Sequence, residues 1–215
     1  MSHGKYLSKN QSPTTPDELY RMSKIPYASA IRSIMYAMVC TRPDVSCALS
    51  MMSRFQSFPS NDHWTAVKNI LKYLNRTKDY FLTYGGKYEL CVKGYTDASF
   101  QADKDDYRSQ SAAKEAVWIK NFISGLGVVP SVASPIKLYC DNNGAIAQAK
   151  ETTSNQKSKH VERKFHLIRD IVDRKDNKVC KIVTDDNVAD PLTKPMSQRK
   201  HERHLTKMGI KPIRE

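Results

Sequence analysis

The spacing of apolar residues changes near residues 78–88, and that change limits the folds open to the chain. Upstream, YASAIRSIMYAMVC (27–40) is apolar enough for a buried helix, and TRPD then offers Thr41 as a cap for a second one. In that second helix Val45, Ala48, Leu49, Met52 and Phe55 fall at helical spacing. After SFPSND, a third helix is expected to bury Trp64, Val67, Ile70, Leu71 and Leu74 and to carry Lys68, Lys72 and Arg76 outside. Downstream the period shortens. DYFLTY, Gly85-Gly86 and KYELCVKGYTDASF read as a β-hairpin with a two-residue turn, DYFLTY pairing with residues 88–95. A helix (112–125), the strand PIKLYCD, a short helix (144–150), a longer helix (159–175) and the strand KVCKIVT follow. Strands alternating with helices predict an α/β layer with a mainly parallel sheet.

The ends of the chain carry weaker patterns. Residues 1–26 hold Pro13, Pro16 and Pro26 among Ser, Thr and Lys and read as an extended arm. SQRKHERHLTKMGIKP adds charge with little amphipathic pattern and reads as a disordered basic tail. The expected divisions are therefore 1–26, 27–78, 79–195 and 196–215.

With 35 Lys and Arg against 22 Asp and Glu, the formal charge is +13, an excess that attracts polyphosphate chains by releasing their counterions. A solubilising surface has the same composition, so charge alone leaves two readings. The stripe Lys68, Lys72, Arg76 is open in the same way, to a phosphate backbone or to water. No run of about 18 apolar residues occurs and MSHGKYLSKN lacks the apolar centre of a signal peptide, which argues against membrane and secretory pathway and for an intracellular setting. Five cysteines, spread out and never in CxxC spacing, argue for reduced thiols rather than a disulfide framework or zinc site.

Two of the expected strands end in a carboxylate. Asp97 closes LCVKGYTD, and Asp141 closes IKLYCD with Asn142, Asn143 and Gly144 opening the next helix. Parallel strands that both end in Asp bring those carboxylates together at the carboxyl edge of the sheet, where α/β proteins place their sites. Like charges held close repel unless a cation lies between them, and Mg²⁺ prefers such hard oxygen ligands. Each Asp alone is more often a cap or turn residue, and the third candidate, Asp190 in NVADPLTK, reads equally as a turn residue before Pro191. Only the trio is informative.

GYTDASF, LYCDNNGAIAQAK, SKHVERKFHLIRD and DDNVADPLTKP resemble the ribonuclease H region of copia-type LTR retrotransposon polyproteins. PYASAIRSIMYAMVCTRPDVSCALSMMSRF and HWTAVKNILKYLNRTKDY resemble the segment that connects reverse transcriptase to it. The resemblance implies a truncated ribonuclease H-like mixed or parallel sheet with helices, preceded by a helical connection region. It implies that Asp97, Asp141 and Asp190 correspond to catalytic metal ligands for Mg²⁺ or Mn²⁺, in a family that cleaves the RNA strand of RNA/DNA hybrids. Components of a parent polyprotein are the other implied partners.

The resemblance also exposes a gap. In the family the first Asp-bearing strand is followed by two further strands and a helix with a Glu ligand, whereas this chain passes from DDYRSQS directly to AAKEAVWI. Glu115 sits in sequence that resembles a later part of that helix, so it is not assigned as a ligand. With one ligand fewer, metal binding and cleavage are expected to be impaired; the alternative is a non-catalytic remnant that at most binds nucleic acid. For that binding the candidates are Lys157, Lys159, His160, Arg163 and Lys164, around the start of the 159–175 helix.

Overall fold

The computed structural model describes residues 7–83, 92–97, 106–127, 135–150, 174 and 176–213. The chain is α/β and divides into two units, Met1–Tyr84 with Pro191–Glu215, and Gly85–Asp190. The helix expected at 159–175 lies outside the described residues.

In the first unit, helices α1 (Pro16–Ser23), α2 (Tyr27–Cys40), α3 (Ser46–Ser53) and α4 (Asn61–Arg76) come first. Helix α1 corrects the reading of 1–26 as an extended arm. Thr15, Pro16 and Glu18 form a complete capping box: Thr15 Oγ1 accepts from the Glu18 N–H while the Glu18 carboxylate accepts from the Thr14 and Thr15 N–H groups. Those backbone hydrogen bonds hold the Glu18 carboxyl below the usual carboxylate range. Thr41 is the residue that ends α2 rather than a cap for α3, which follows a 3-10 turn at Pro43–Val45.

The core of this unit is built by Tyr27, Ile31 and Ile34 of α2, Val45, Leu49 and Met52 around α3, and Ala66, Val67 and Ile70 of α4. Fully burying a side chain such as Ile31 or Met52 contributes about 1.5–3 kcal/mol. Leu71 is 39% exposed, contrary to expectation, because the buried arc of α4 runs through His63, Ala66, Val67 and Ile70 and leaves the next position outside it. His63 takes the place usually filled by Glu in the capping box of α4. Its Nδ1 accepts from the Ser60 N–H at 3.0 Å, and its ring stacks on Phe55 at 3.9 Å.

The chain returns to this unit at its C-terminal end. Strand β1 (Tyr80–Leu82) pairs antiparallel with the last strand, Ile210–Pro212, in the register Tyr80 to Pro212 and Leu82 to Ile210. Its partner is thus about 130 residues away in the chain, and the described part of the expected second arm, Lys93–Thr96, lies in the other sheet; residues 84–91, where the expected hairpin turns, lie outside the described residues. A three-residue strand carries no register information of its own, so its long-range partner has no local signal. The region expected as a disordered tail instead forms a ten-residue helix, Gln198–Lys207, followed by that strand. Gly209 makes the turn between them at φ +83°, and its carbonyl accepts from the Thr83 N–H.

A buried ion pair ties this unit together. Arg42 donates two hydrogen bonds to Asp44, at 3.0 and 2.8 Å, and two more to the carbonyl and Oγ1 of Thr77. The Tyr73 hydroxyl donates to Asp44 Oδ2 at 2.6 Å, and burial together with that carboxylate pushes the phenol pKa up.

The second unit is built on strands β2 (Lys93–Thr96), β3 (Ile136–Cys140) and β4 (Asn177–Lys181), all parallel, in the order β2-β3-β4. Helix α5 (Asp106–Leu126) packs on this sheet, and α6 (Asn143–Lys150) follows β3 directly. Ile136, Leu138 and Cys140 alternate into the interior with Ala116 and Ile146. Gly94 faces Leu138 so closely that a Cβ there would lie 2.8 Å from Leu138 Cδ1. No helix among the described residues is long and apolar enough to cross a membrane.

Candidate metal centre

The register of the parallel pair brings the first two acids together. Thr96 is the Cα partner of Cys140, so Asp97 and Asp141 are the next residues on neighbouring strands, whose spacing is about 4.8 Å. Both emerge at the carboxyl edge. Asn142 then caps α6, its Oδ1 accepting from the Gly144 N–H at 2.9 Å and the Ala145 N–H at 3.3 Å. Lys181, from the end of β4, donates to the Asp141 carbonyl at 2.9 Å and to Asn143 Oδ1, fixing the turn on which Asp141 sits.

The third acid arrives by a loop. After β4 a 3-10 turn (Thr184–Asp186) leads to Asn187 and then to α7 (Asp190–Thr193), whose first residue is Asp190. Asn187 is 0% exposed, and its backbone and side-chain polar groups are engaged on both sides of the loop. Its Nδ2 donates to the Thr96 carbonyl at 3.1 Å, its Oδ1 accepts from the Ala189 N–H at 3.2 Å, and its own N–H donates to Thr184. Its carbonyl accepts from the Asp190 N–H at 3.2 Å. One side chain therefore joins the residue before Asp97 to the residues before Asp190.

Oxygens of Asp97, Asp141 and Asp190 all lie within 4.8 Å of one another, the first two half-buried and Asp190 buried. Like charges this close repel unless a cation lies among them. The donor set suits a hard divalent ion: around an octahedral Mg²⁺ adjacent oxygens stand about 2.9 Å apart and opposite ones about 4.1 Å, so these three would converge by up to about 2 Å on binding one. Glu115 is exposed on α5 and is not a member of this group. Lys157, Lys159, His160, Arg163 and Lys164 lie outside the described residues.

Lys181 and Asn187 support the centre without being expected from the sequence. Lys181 gives no signal that separates it from any other exposed lysine. Asn187 does: an Asn shortly before a helical turn is suited to accepting the backbone N–H two residues on, which is the bond it makes with Ala189.

No family model and no solved structure matches the chain. Curated relatives do. The chain is 36% identical to the retrovirus-related Pol polyprotein from transposon TNT 1-94 of Nicotiana tabacum, over 91% of this chain and 17% of that protein. It is 29% and 28% identical to the Pol polyproteins from transposons RE2 and RE1 of Arabidopsis thaliana, over 89% and 98% of this chain and 16% and 17% of theirs. The chain thus spans about one sixth of the length of these relatives. The three alignments run to 231, 233 and 251 positions, each longer than the 215-residue chain, so every one of these relatives has residues with no counterpart here. Over about nine tenths of its length, the chain is similar to a stretch of retrovirus-related Pol polyproteins from transposons.

Proposed function

We propose that the second unit is a truncated ribonuclease H-like domain of the copia type. In this reading Asp97, Asp141 and Asp190 bind a divalent cation, Mg²⁺ or Mn²⁺, while cleavage of RNA in RNA/DNA hybrids is impaired. The observation that carries this reading is the meeting of three acids, from three distant parts of the sequence, within 4.8 Å at the carboxyl edge of an in-register parallel pair.

A bound divalent ion supplies water activation and charge neutralisation at a phosphodiester. The chain supplies the frame. Asp97 and Asp141 are set by strand register, Lys181 fixes the turn after Asp141, and Asn187 holds the loop of Asp190 against the end of β2. Impairment follows from donor number, because each protein ligand removed leaves the ion less firmly held and the cluster less negative. The alignments that outrun the chain support a missing internal segment, and the exposure of Glu115 supports leaving it out of the ligand set. The alternative, a remnant that binds nucleic acid without cutting it, is favoured by the +13 charge.

The test is Mn²⁺ titration followed by electron paramagnetic resonance, on the full chain and on Asp141→Asn. Weak binding that falls at least tenfold in the variant is expected, and equal binding by the two proteins refutes the cation site. A labelled RNA/DNA hybrid incubated with Mg²⁺ should be cut slowly or not at all. Turnover that Asp97→Asn abolishes would restore full catalytic status to the domain.

A further inference from the structure

The formal charge is divided very unequally. The first unit carries 18 Lys and Arg against 7 Asp and Glu, a balance of +11, whereas the second carries 17 against 15, a balance of +2. A polyanion is therefore drawn to the unit that does not contain the three acids. Lys157, Lys159, Arg163 and Lys164, singled out from the sequence, belong to the nearly neutral unit.

Within the first unit the positive charge is ordered. On the helix Gln198–Lys207, named α8 here, Arg199, Lys200, Arg203 and Lys207 are all exposed and fall within an arc of about 100° around the axis. The opposite face is occupied by the protein itself: His204 and Leu205 are buried, and the His201 ring meets Tyr73 of α4 edge-on at 5.8 Å. Glu202 lies off the arc and accepts from Gln198 Nε2 at 2.8 Å. Because the apolar side of α8 is already used in the fold, the helix has no free face to insert into a bilayer.

Helix α4 extends the same surface. Lys68, Lys72 and Arg76 recur every four residues and are exposed, and among the described residues none of them makes an ion pair. Arg76 and Lys72 follow Tyr73 round the helix by about 60° and 100°, in the direction away from the core. They therefore border the line along which α8 meets Tyr73. The one acid of α4, Asp62, is in its first turn, at the far end from Arg76.

We propose that this composite face, α8 with the outer stripe of α4, binds the phosphodiester backbone of nucleic acid by charge and without base preference. The proposal rests on the nucleic-acid side of the reading above and is independent of the cation site. Lysine and arginine side chains presented on outer helix faces suit phosphate contacts, which position a strand but carry no sequence information.

The test uses the full chain and a fluorescein-labelled RNA/DNA hybrid of random sequence, titrated between 50 and 200 mM KCl. Three variants are compared: α8 neutralised (Arg199→Gln, Lys200→Gln, Arg203→Gln, Lys207→Gln), α4 neutralised (Lys68→Gln, Lys72→Gln, Arg76→Gln), and Lys157→Gln, Lys159→Gln, Arg163→Gln, Lys164→Gln. Each phosphate contact contributes about 0.9 to the slope of log Kd against log salt, so the α8 variant should lose about 3 to 4 from the slope and about 10- to 100-fold in affinity at 100 mM. The α4 variant should lose about 2 to 3 from the slope, and the third variant should bind within about twofold of the parent. A charge-keeping variant, Lys200→Arg with Lys207→Arg, should bind like the parent, which separates lost charge from lost fold. Loss confined to the third variant would overturn the surface and leave nucleic-acid binding standing. Absence of parent binding at 50 mM KCl would overturn both. Tighter binding to phosphatidylserine vesicles than to the hybrid, lost in the α8 variant, would reassign the face to membranes.

Discussion

Replacing Asn187 with Ala tests whether the loop of Asp190 is held in place by one side chain. The substitution removes two hydrogen bonds, to the Thr96 carbonyl and from the Ala189 N–H, at a position that is 0% exposed. Each bond contributes about 1 kcal/mol net, and each buried group left without its partner adds a desolvation penalty of about 1–3 kcal/mol, less where water enters. A local loss of about 2–4 kcal/mol follows. Groups that orient ligands from behind typically change metal affinity by about 10- to 100-fold when removed, so Mn²⁺ affinity should fall by that factor. Amide exchange at 184–190 should quicken together with it. Asn187→Asp keeps the acceptor for Ala189 but turns an oxygen toward the Thr96 carbonyl, so it should disturb the loop at least as strongly. If Asn187→Ala quickens exchange throughout the loop yet binds Mn²⁺ within twofold of the parent, Asp190 keeps its place without the clamp and Asn187 does not hold the centre.

Asp44→Ala leaves the Arg42 guanidinium buried without its carboxylate and should cost about 3–5 kcal/mol, while Arg42→Met with Asp44→Leu should cost distinctly less because neither charge remains. Urea titration followed by Trp64 fluorescence in a Trp118→Phe background reads the first unit, and equal losses in the two proteins would count against a penalty from the stranded charge. His63 supplies a pH dependence: burial lowers its pKa from the usual 6.5, and its Nδ1 must be unprotonated to accept from Ser60. The unfolded chain then binds a proton that the folded one does not, so stability is full above about pH 6.5 and declines as pH falls toward the lowered folded value. His63→Gln should flatten that slope in the same urea assay, and an unchanged slope would assign it to another group.

The parts of the fold legible in the sequence were those with a repeated signal. The core of α2, α3 and α4 follows helical spacing over 8 to 16 residues, and Val45, Leu49, Met52, Val67 and Ile70 are buried as that spacing requires. The misses fall where the signal is short or competes with a compositional bias. Thr15-Pro16-Asp17-Glu18 is a capping box inside a proline-rich stretch, and the prolines outweighed it although one of them opens the helix. In α8, four of ten residues are Arg or Lys and only Leu205 is aliphatic, so its amphipathic pattern is carried by His201 and His204, which bury or half-bury as if apolar. Strand β1 has three residues, and its partner is set by the return of the chain to the first unit, a long-range event with no local trace.

The candidate site divides along the same line. Asp97 and Asp141 were legible as a pair because a parallel ladder has one register once Leu138 and Cys140 face inward, and whatever follows the last rung on each strand must then be neighbours. Asp190 cannot be reached by that argument, since no strand ends in it. Its place depends on a loop that crosses back to Thr96, and the crossing is made by an amide side chain with no periodicity and no charge. A loop so anchored can lose its register with the sheet while both strands stay intact. The third carboxylate is therefore the one whose geometry a single substitution in its own loop can change, and the divalent-cation affinity of Asn187→Ala measures how much of the centre rests on it.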